Sequence, residues 1–120
     1  MVIHVSAIKS KHYILVFEDI QQVVKACGDI PVKVIIETAL LTDTEKIAAC
    51  TLAKTAGTRF IKTSTGKESV NATLPVSLVM MRAIRGYHDL TGYRVGYKPA
   101  GGISKAKDAI TYLTMVKDEL

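Results

Sequence analysis

The feature that most constrains this chain is an alternation. Short β-branched runs are each followed by a longer segment of helical period, four times over. Met1–Val5 is apolar, rich in β-branched residues and too short for a helix. Leu15–Cys27 then carries Val16, Ile20, Val23, Val24 and Cys27 at helical spacing and ends at Gly28-Asp29. Pro31 opens a strand over Val32–Glu37. Thr42 or Asp43 is placed to cap a helix carrying Ile47, Cys50, Leu52 and Ala53, which Gly57 closes. Arg59–Thr63 reads as the third strand, Ser64–Asn71 as a small polar loop, and Leu74–Arg85 as a helix with the stripe Val76, Val79, Met80 and Ile84. Gly86 and Gly92 mark a polar linker. Arg94–Lys98 is the fourth strand, Gly101-Gly102 a turn, Ser104 a cap, and Lys105–Lys117 the last helix.

Strand–helix alternation with a repeat of roughly 30 residues implies an α/β fold with a parallel sheet and right-handed crossovers. Four such units make half of a (β/α)₈ barrel, and residues 1–120 are expected to form a single domain. A four-stranded parallel sheet with helices on one side exposes an apolar face and two unpaired edges. Three closures meet that problem: a longer chain, a second copy, or helices crossing to the other sheet face.

The bulk numbers remove other classes. Hydrophobic residues make up 48% and charged residues 22%, so the chain can bury a core and disorder is not expected. No apolar run approaches a membrane span, and the first residues lack the pattern of a secretory leader. Cys27 and Cys50 have no metal-ligand or redox spacing and read as free thiols of a cytoplasmic protein. No acidic cluster suggests a metal site. The net charge of +5 comes from scattered lysines without interleaved aromatics, so a nucleic-acid partner is not expected, whereas a small anionic substrate fits.

Chemistry concentrates in two segments. In Phe60–Lys67 (FIKTSTGK), Lys62 ends a strand and is followed by hydroxylic residues and Gly66. Barrel enzymes place their sites at that end of the strands. A lysine kept from water there favours its neutral amine, which attacks carbonyls and yields an imine that accepts electrons. The plainer reading is a lysine whose stem lines the strand end while its ammonium reaches solvent. In Gly96–Ile103 (GYKPAGGI), Lys98 ends another strand, and the backbone N–H groups around Gly101 and Gly102 can cradle an anion.

Four segments, Val32–Thr38 (VKVIIET), Phe60–Lys67 (FIKTSTGK), Val70–Thr73 (VNAT) and Gly96–Ile103 (GYKPAGGI), occur in an order and at intervals that resemble deoxyribose-phosphate aldolase, a class I aldolase, over essentially the whole chain. The resemblance implies a (β/α)₈ barrel that reversibly cleaves 2-deoxyribose 5-phosphate to glyceraldehyde 3-phosphate and acetaldehyde. It implies a lyase of deoxyribonucleotide and carbohydrate catabolism that needs no cofactor. Carried over by motif, Lys62 is the Schiff-base lysine and Lys98 the neighbouring cation that activates it and assists proton transfer. Gly66, Lys67, Gly101 and Gly102 match phosphate-binding positions, and Lys33 matches a lysine that points into the cavity or, equally, a charge at the barrel rim.

The sequence departs from the family in places. The resemblance sets Met1–Val5 on the family's fourth strand, so the aspartate of the family's proton relay, just before that strand, has no counterpart here, and the eighth strand falls beyond Leu120. Ser104 stands where many relatives carry arginine. His4 replaces an expected Asn or Pro and reads either as a general base or as a partner-satisfied or solvated histidine. The expected partners are a phosphosugar and either further copies of the chain or the rest of a longer one. The alternative is a truncated, inactive half-barrel that binds phosphorylated ligands or a partner chain.

Overall fold

The computed structural model describes residues 1–120. Three β-branched or aromatic runs form a parallel sheet in the order β1 (Lys33–Ile35), β2 (Phe60–Lys62), β3 (Gly96–Lys98). Helices connect them: α3 (Asp43–Thr55) crosses from β1 to β2 and α4 (Leu74–Thr91) from β2 to β3, while α1 (Val5–Lys9) and α2 (Tyr13–Cys27) precede β1 and α5 (Ala106–Glu119) follows β3. The arrangement is the expected α/β one, a parallel segment of a (β/α)₈ barrel.

The first expected strand is much reduced. Met1–Ile3 lies parallel to β1 through one bridge, Val2 to Ile35, with Ile3 N–H donating to the Ile35 carbonyl at 2.9 Å and Ile35 N–H to the Met1 carbonyl at 2.9 Å. Pairing stops there because the next residue starts a helix. The His4 Nδ1 atom accepts from Ala7 N–H at 3.2 Å and caps α1. His4 is thus an exposed histidine with a local partner, the second of the two readings.

Two boundaries also depart from expectation. The segment read as a linker after Arg85 is helical, and α4 runs through Gly86 to Thr91. A glycine inside a helix costs about 1 kcal/mol; Met80, Met81 and Ile84, all at most 3% exposed, anchor this helix. It ends at Gly92, whose left-handed φ of 73° lets its N–H reach the His88 carbonyl at 2.7 Å. Ser104 does not cap α5; Lys105 precedes that helix without a side-chain cap bond. Thr42, in contrast, caps α3 with a full capping box, its hydroxyl accepting from Glu45 N–H while the Glu45 carboxylate accepts from Thr42 N–H.

The two faces of the sheet differ sharply. Val34 and Ile61, at neighbouring register positions, are fully buried against a core built with Val16 and Ile20 of α2, Ala49, Cys50 and Ala53 of α3, and Met80 and Ile84 of α4. Tyr97 of β3 points the same way and its hydroxyl meets Ser77 Oγ of α4 at 2.6 Å. Alternation along each strand turns Lys33, Phe60 and Lys98, which are exposed, and Ile35 and Lys62, which are half-buried, to the opposite face. No crossing helix buries that face, which removes the open sandwich among the three closures. No helix is long and apolar enough to cross a membrane. Cys50 is buried and Cys27 half-buried, both as free thiols.

A buried lysine lies between α3 and α4. Lys54, 2% exposed on α3, donates from Nζ to the Ala83 carbonyl of α4 at 2.6 Å, with its ammonium 4.6 Å from the centre of the Tyr87 ring. Burial pushes Lys54 down to about 8 and, one turn earlier, pushes the Cys50 thiol up to about 12. The unfolded chain therefore holds the Lys54 proton more tightly than the folded one between about pH 8 and 10.5. The burial penalty is full below that window and vanishes above it, so stability gains with rising pH. The thiol acts in the opposite sense but is common to wild type and a Lys54→Met variant. The stability of wild type relative to Lys54→Met, read from chemical denaturation at each pH, should rise by about 3 kcal/mol across the window; a flat difference would mean that Lys54 keeps its ordinary ionisation.

Candidate active site

The register of the sheet decides the geometry. Ile35, Lys62 and Lys98 are direct partners across β1, β2 and β3, and Lys33, Phe60 and Gly96 are partners one layer below. Lys62 and Lys98, singled out separately from sequence, thus stand side by side on neighbouring parallel strands, at their C-terminal ends and on the open face. Lys62 is half-buried and Lys98 exposed. Lys33 shares that face but belongs to the lower layer, with its ammonium 5.7 Å from the centre of the Phe60 ring.

That layer is close-packed through Gly96. A β-carbon there would lie 2.4 Å from two atoms of the Phe60 ring, so the ring occupies the space a side chain would need. The floor beneath the two lysines is therefore an aromatic ring set on a glycine and topped by a third lysine.

Above the lysines, loops from all four sequence segments converge. Thr63 joins two of them: its N–H donates to the Lys98 carbonyl at 3.1 Å, and its hydroxyl donates to the Ala100 carbonyl at 3.2 Å and accepts from Ala100 N–H at 3.0 Å. Ala72 N–H donates to the Ala100 carbonyl at 3.1 Å, bringing in the third segment. Gly101, at φ 95°, backs onto Asn71, whose β-carbon would sit 2.3 Å from any β-carbon placed at Gly101. The fourth segment enters through Glu37, whose carboxylate accepts from Thr65 N–H at 3.2 Å and from the Thr65 hydroxyl at 2.5 Å. Gly66 and Lys67 lie exposed on the β2 loop, and Gly101 and Gly102 on the β3 loop beside a cleft of about 330 Å³ that Ala72, Leu74 and Tyr112 also line. Thr38 Oγ1 and Ser64 Oγ, both buried at the same strand ends, have no partner within the chain.

The family model described as DeoC/LacD family aldolase matches residues 1–119. The chain belongs to the DeoC/LacD family of aldolases. It is 47% identical over 121 residues to the deoxyribose-phosphate aldolase of Homo sapiens and 44% identical over 113 residues to that of Macrococcus caseolyticus. It covers 38% and 48% of those proteins, while the matches take in 100% and 94% of this chain. Among solved structures, a putative deoxyribose-phosphate aldolase from Coccidioides immitis superposes with a TM-score of 0.87 at 34% identity, over 94% of this chain and 43% of that one. A protein described as QR15, an aldolase, superposes with a TM-score of 0.84 at 31% identity, over 94% and 48% respectively. The chain therefore spans less than half the length of these relatives in the family.

Sequence reasoning singled out the two lysines and the glycine loops but passed over Glu37, Thr63 and the Phe60–Gly96 contact. A family motif gives Glu37 as one letter in VKVIIET; its left-handed backbone, at φ 53°, has no sequence signal comparable to a glycine. The Phe60–Gly96 pair brings together residues 36 positions apart, and only the register reveals it.

Gly96→Ala should displace the Phe60 ring and cost about 1–3 kcal/mol in urea denaturation. A Phe60→Leu background should remove much of that cost; an equal cost in both backgrounds would show that the ring is not what Gly96 accommodates.

Proposed function

We propose that this chain carries the lysine machinery of a deoxyribose-phosphate aldolase, an aldehyde-lyase that works through a Schiff base. The observation supporting this most directly is the pairing of Lys62 with Lys98 at the C-terminal end of a parallel sheet, beneath two glycine-bearing loops. In this reading Lys62 is the nucleophile. Its neutral amine adds to the aldehyde carbon of open-chain 2-deoxyribose 5-phosphate, and water leaves to give the iminium. A base takes the proton of the hydroxyl on the β carbon. The bond between the α and β carbons then breaks, its electron pair passes to the iminium nitrogen, and glyceraldehyde 3-phosphate departs. The enamine left on Lys62 takes a proton on carbon, and water hydrolyses the imine to acetaldehyde and free lysine. Lys98, alongside, takes part in proton transfer. Gly66, Lys67, Gly101 and Gly102 hold the phosphate through backbone N–H groups and one ammonium.

Residues 1–120 act as one unit in this reading, and the open lysine face is closed by the remainder of a barrel, supplied by the same polypeptide or a further copy. A cytoplasmic setting fits the free thiols. No step calls for a metal or organic cofactor. A second reading, an inactive half-barrel that binds phosphorylated ligands or a partner chain, is favoured by the exposure of Lys33 and Lys98, since water on that face weakens the influence of one lysine on another.

Reductive trapping separates the two. Incubation with deoxyribose 5-phosphate and borohydride should yield one adduct, on the peptide holding Lys62, that Lys62→Ala abolishes and Lys98→Met slows by about a hundredfold. Adducts spread over surface lysines, or none, would leave only the binding reading.

A further inference from the structure

Glu37 is an anomaly that the chemistry above does not use. It is 6% exposed, yet no lysine, arginine or histidine forms an ion pair with its carboxylate. Its backbone is left-handed, at φ 53° and ψ 68°, a conformation unfavourable for a residue with a side chain. A buried, unpaired carboxylate on a strained backbone persists only where its hydrogen bonds compensate. Here they go to one residue: Thr65 donates both its N–H and its hydroxyl.

The consequence passes along the loop. With its proton committed to Glu37, the Thr65 hydroxyl turns a lone pair toward Lys67 N–H, which donates to it at 3.2 Å. The short turn so closed holds Gly66 at φ 90°, in the region glycine tolerates, and leaves the Gly66 N–H without a partner in the chain. The segment that continues β1 sets the other end. Ile36 N–H donates to the Lys62 carbonyl at 3.0 Å and Thr38 N–H to the Thr63 carbonyl at 3.0 Å, which fixes Glu37 opposite the loop it holds.

We infer that Glu37 is a positioning residue for anion binding: through Thr65 it presets the Gly66–Lys67 loop in the conformation that receives a phosphate group. This deepens the reading of Gly66 and Lys67 as phosphate contacts and rests on it. The carboxylate's hydrogen bonds go to Thr65 alone. It works by directing a hydroxyl that only an acceptor at this point, matched to two donors, can direct.

The test is a titration of the chain with inorganic phosphate, followed by amide chemical shifts, for wild type, Glu37→Gln, Thr65→Val and the double variant. Unchanged shifts in β2 and α4 verify the fold, and Thr65→Val serves should Glu37→Gln not fold. Each single variant should weaken phosphate binding by about tenfold. The double variant should bind no more weakly than either single one, because both remove the same contact. Wild-type phosphate binding that is undetectable, an affinity of the folded single variants within about twofold of wild type, or losses that multiply in the double variant would each overturn the inference. Imine trapping plays no part in this titration. A chain that binds phosphate in a Glu37-dependent way without forming an adduct on Lys62 loses the lyase reading and keeps this one. A chain that forms the adduct while its phosphate affinity ignores Glu37 does the reverse.

Discussion

The parallel pairing of β2 with β3 is the interaction on which the rest of the site depends. Parallel strands in register set equivalent residues side by side at about 4.8 Å, so pairing Phe60 with Gly96 also pairs Lys62 with Lys98. A slip of one residue would send Lys98 toward the helices and bring Tyr97 to the open face. Two contacts guard against the slip. Tyr97 is held to Ser77 on the helix side, where burial raises its hydroxyl above the ordinary phenol range, and Phe60 fits over the one residue in β3 without a side chain. Hydrophobic burial of Val34 and Ile61 therefore stabilises the fold and, through the register, also places Lys62 beside Lys98.

Much of this was legible in the residues. Alternating β-branched runs and helical stripes gave the parallel α/β arrangement, Thr42 with Glu45 marked the start of α3, and the lysine-terminated strands marked the end of the sheet that carries polar loops. The unread parts each depend on a contact or a competition that propensity alone does not state. Whether α4 stops at Gly86 depends on how well Met80, Met81 and Ile84 pack, which no local pattern states. His4 shortens the first strand by bonding to Ala7, a competition between cap and ladder that propensity does not settle. Lys54 looks like any helical lysine until Ala83 and Tyr87 of the next helix enclose its ammonium.

Charge on the sheet is also divided by alternation. The helix side of the strands carries no ionised group, while the open side carries Lys33, Lys62 and Lys98 within three neighbouring strands. Such a concentration of cations is tolerable only where water or anions reach it. The same excess attracts anions, and the overall charge of +5 has the matching sign.

The two loops over the lysines are not anchored with equal strength. The β2 loop leads into α4, which buries Ser77, Met80, Met81 and Ile84 and has Thr73 as a cap. The β3 loop leads into α5, which buries no residue fully, leaves Ile110 62% and Leu113 67% exposed, and is tied to α4 by Arg82 and Arg85 meeting Glu119. Local opening costs least where little apolar surface is lost. On warming, α5 would therefore detach in a partial unfolding step, loosening Gly101 and Gly102 while Gly66 and Lys67 keep their frame, so that one of the two glycine loops melts before the other.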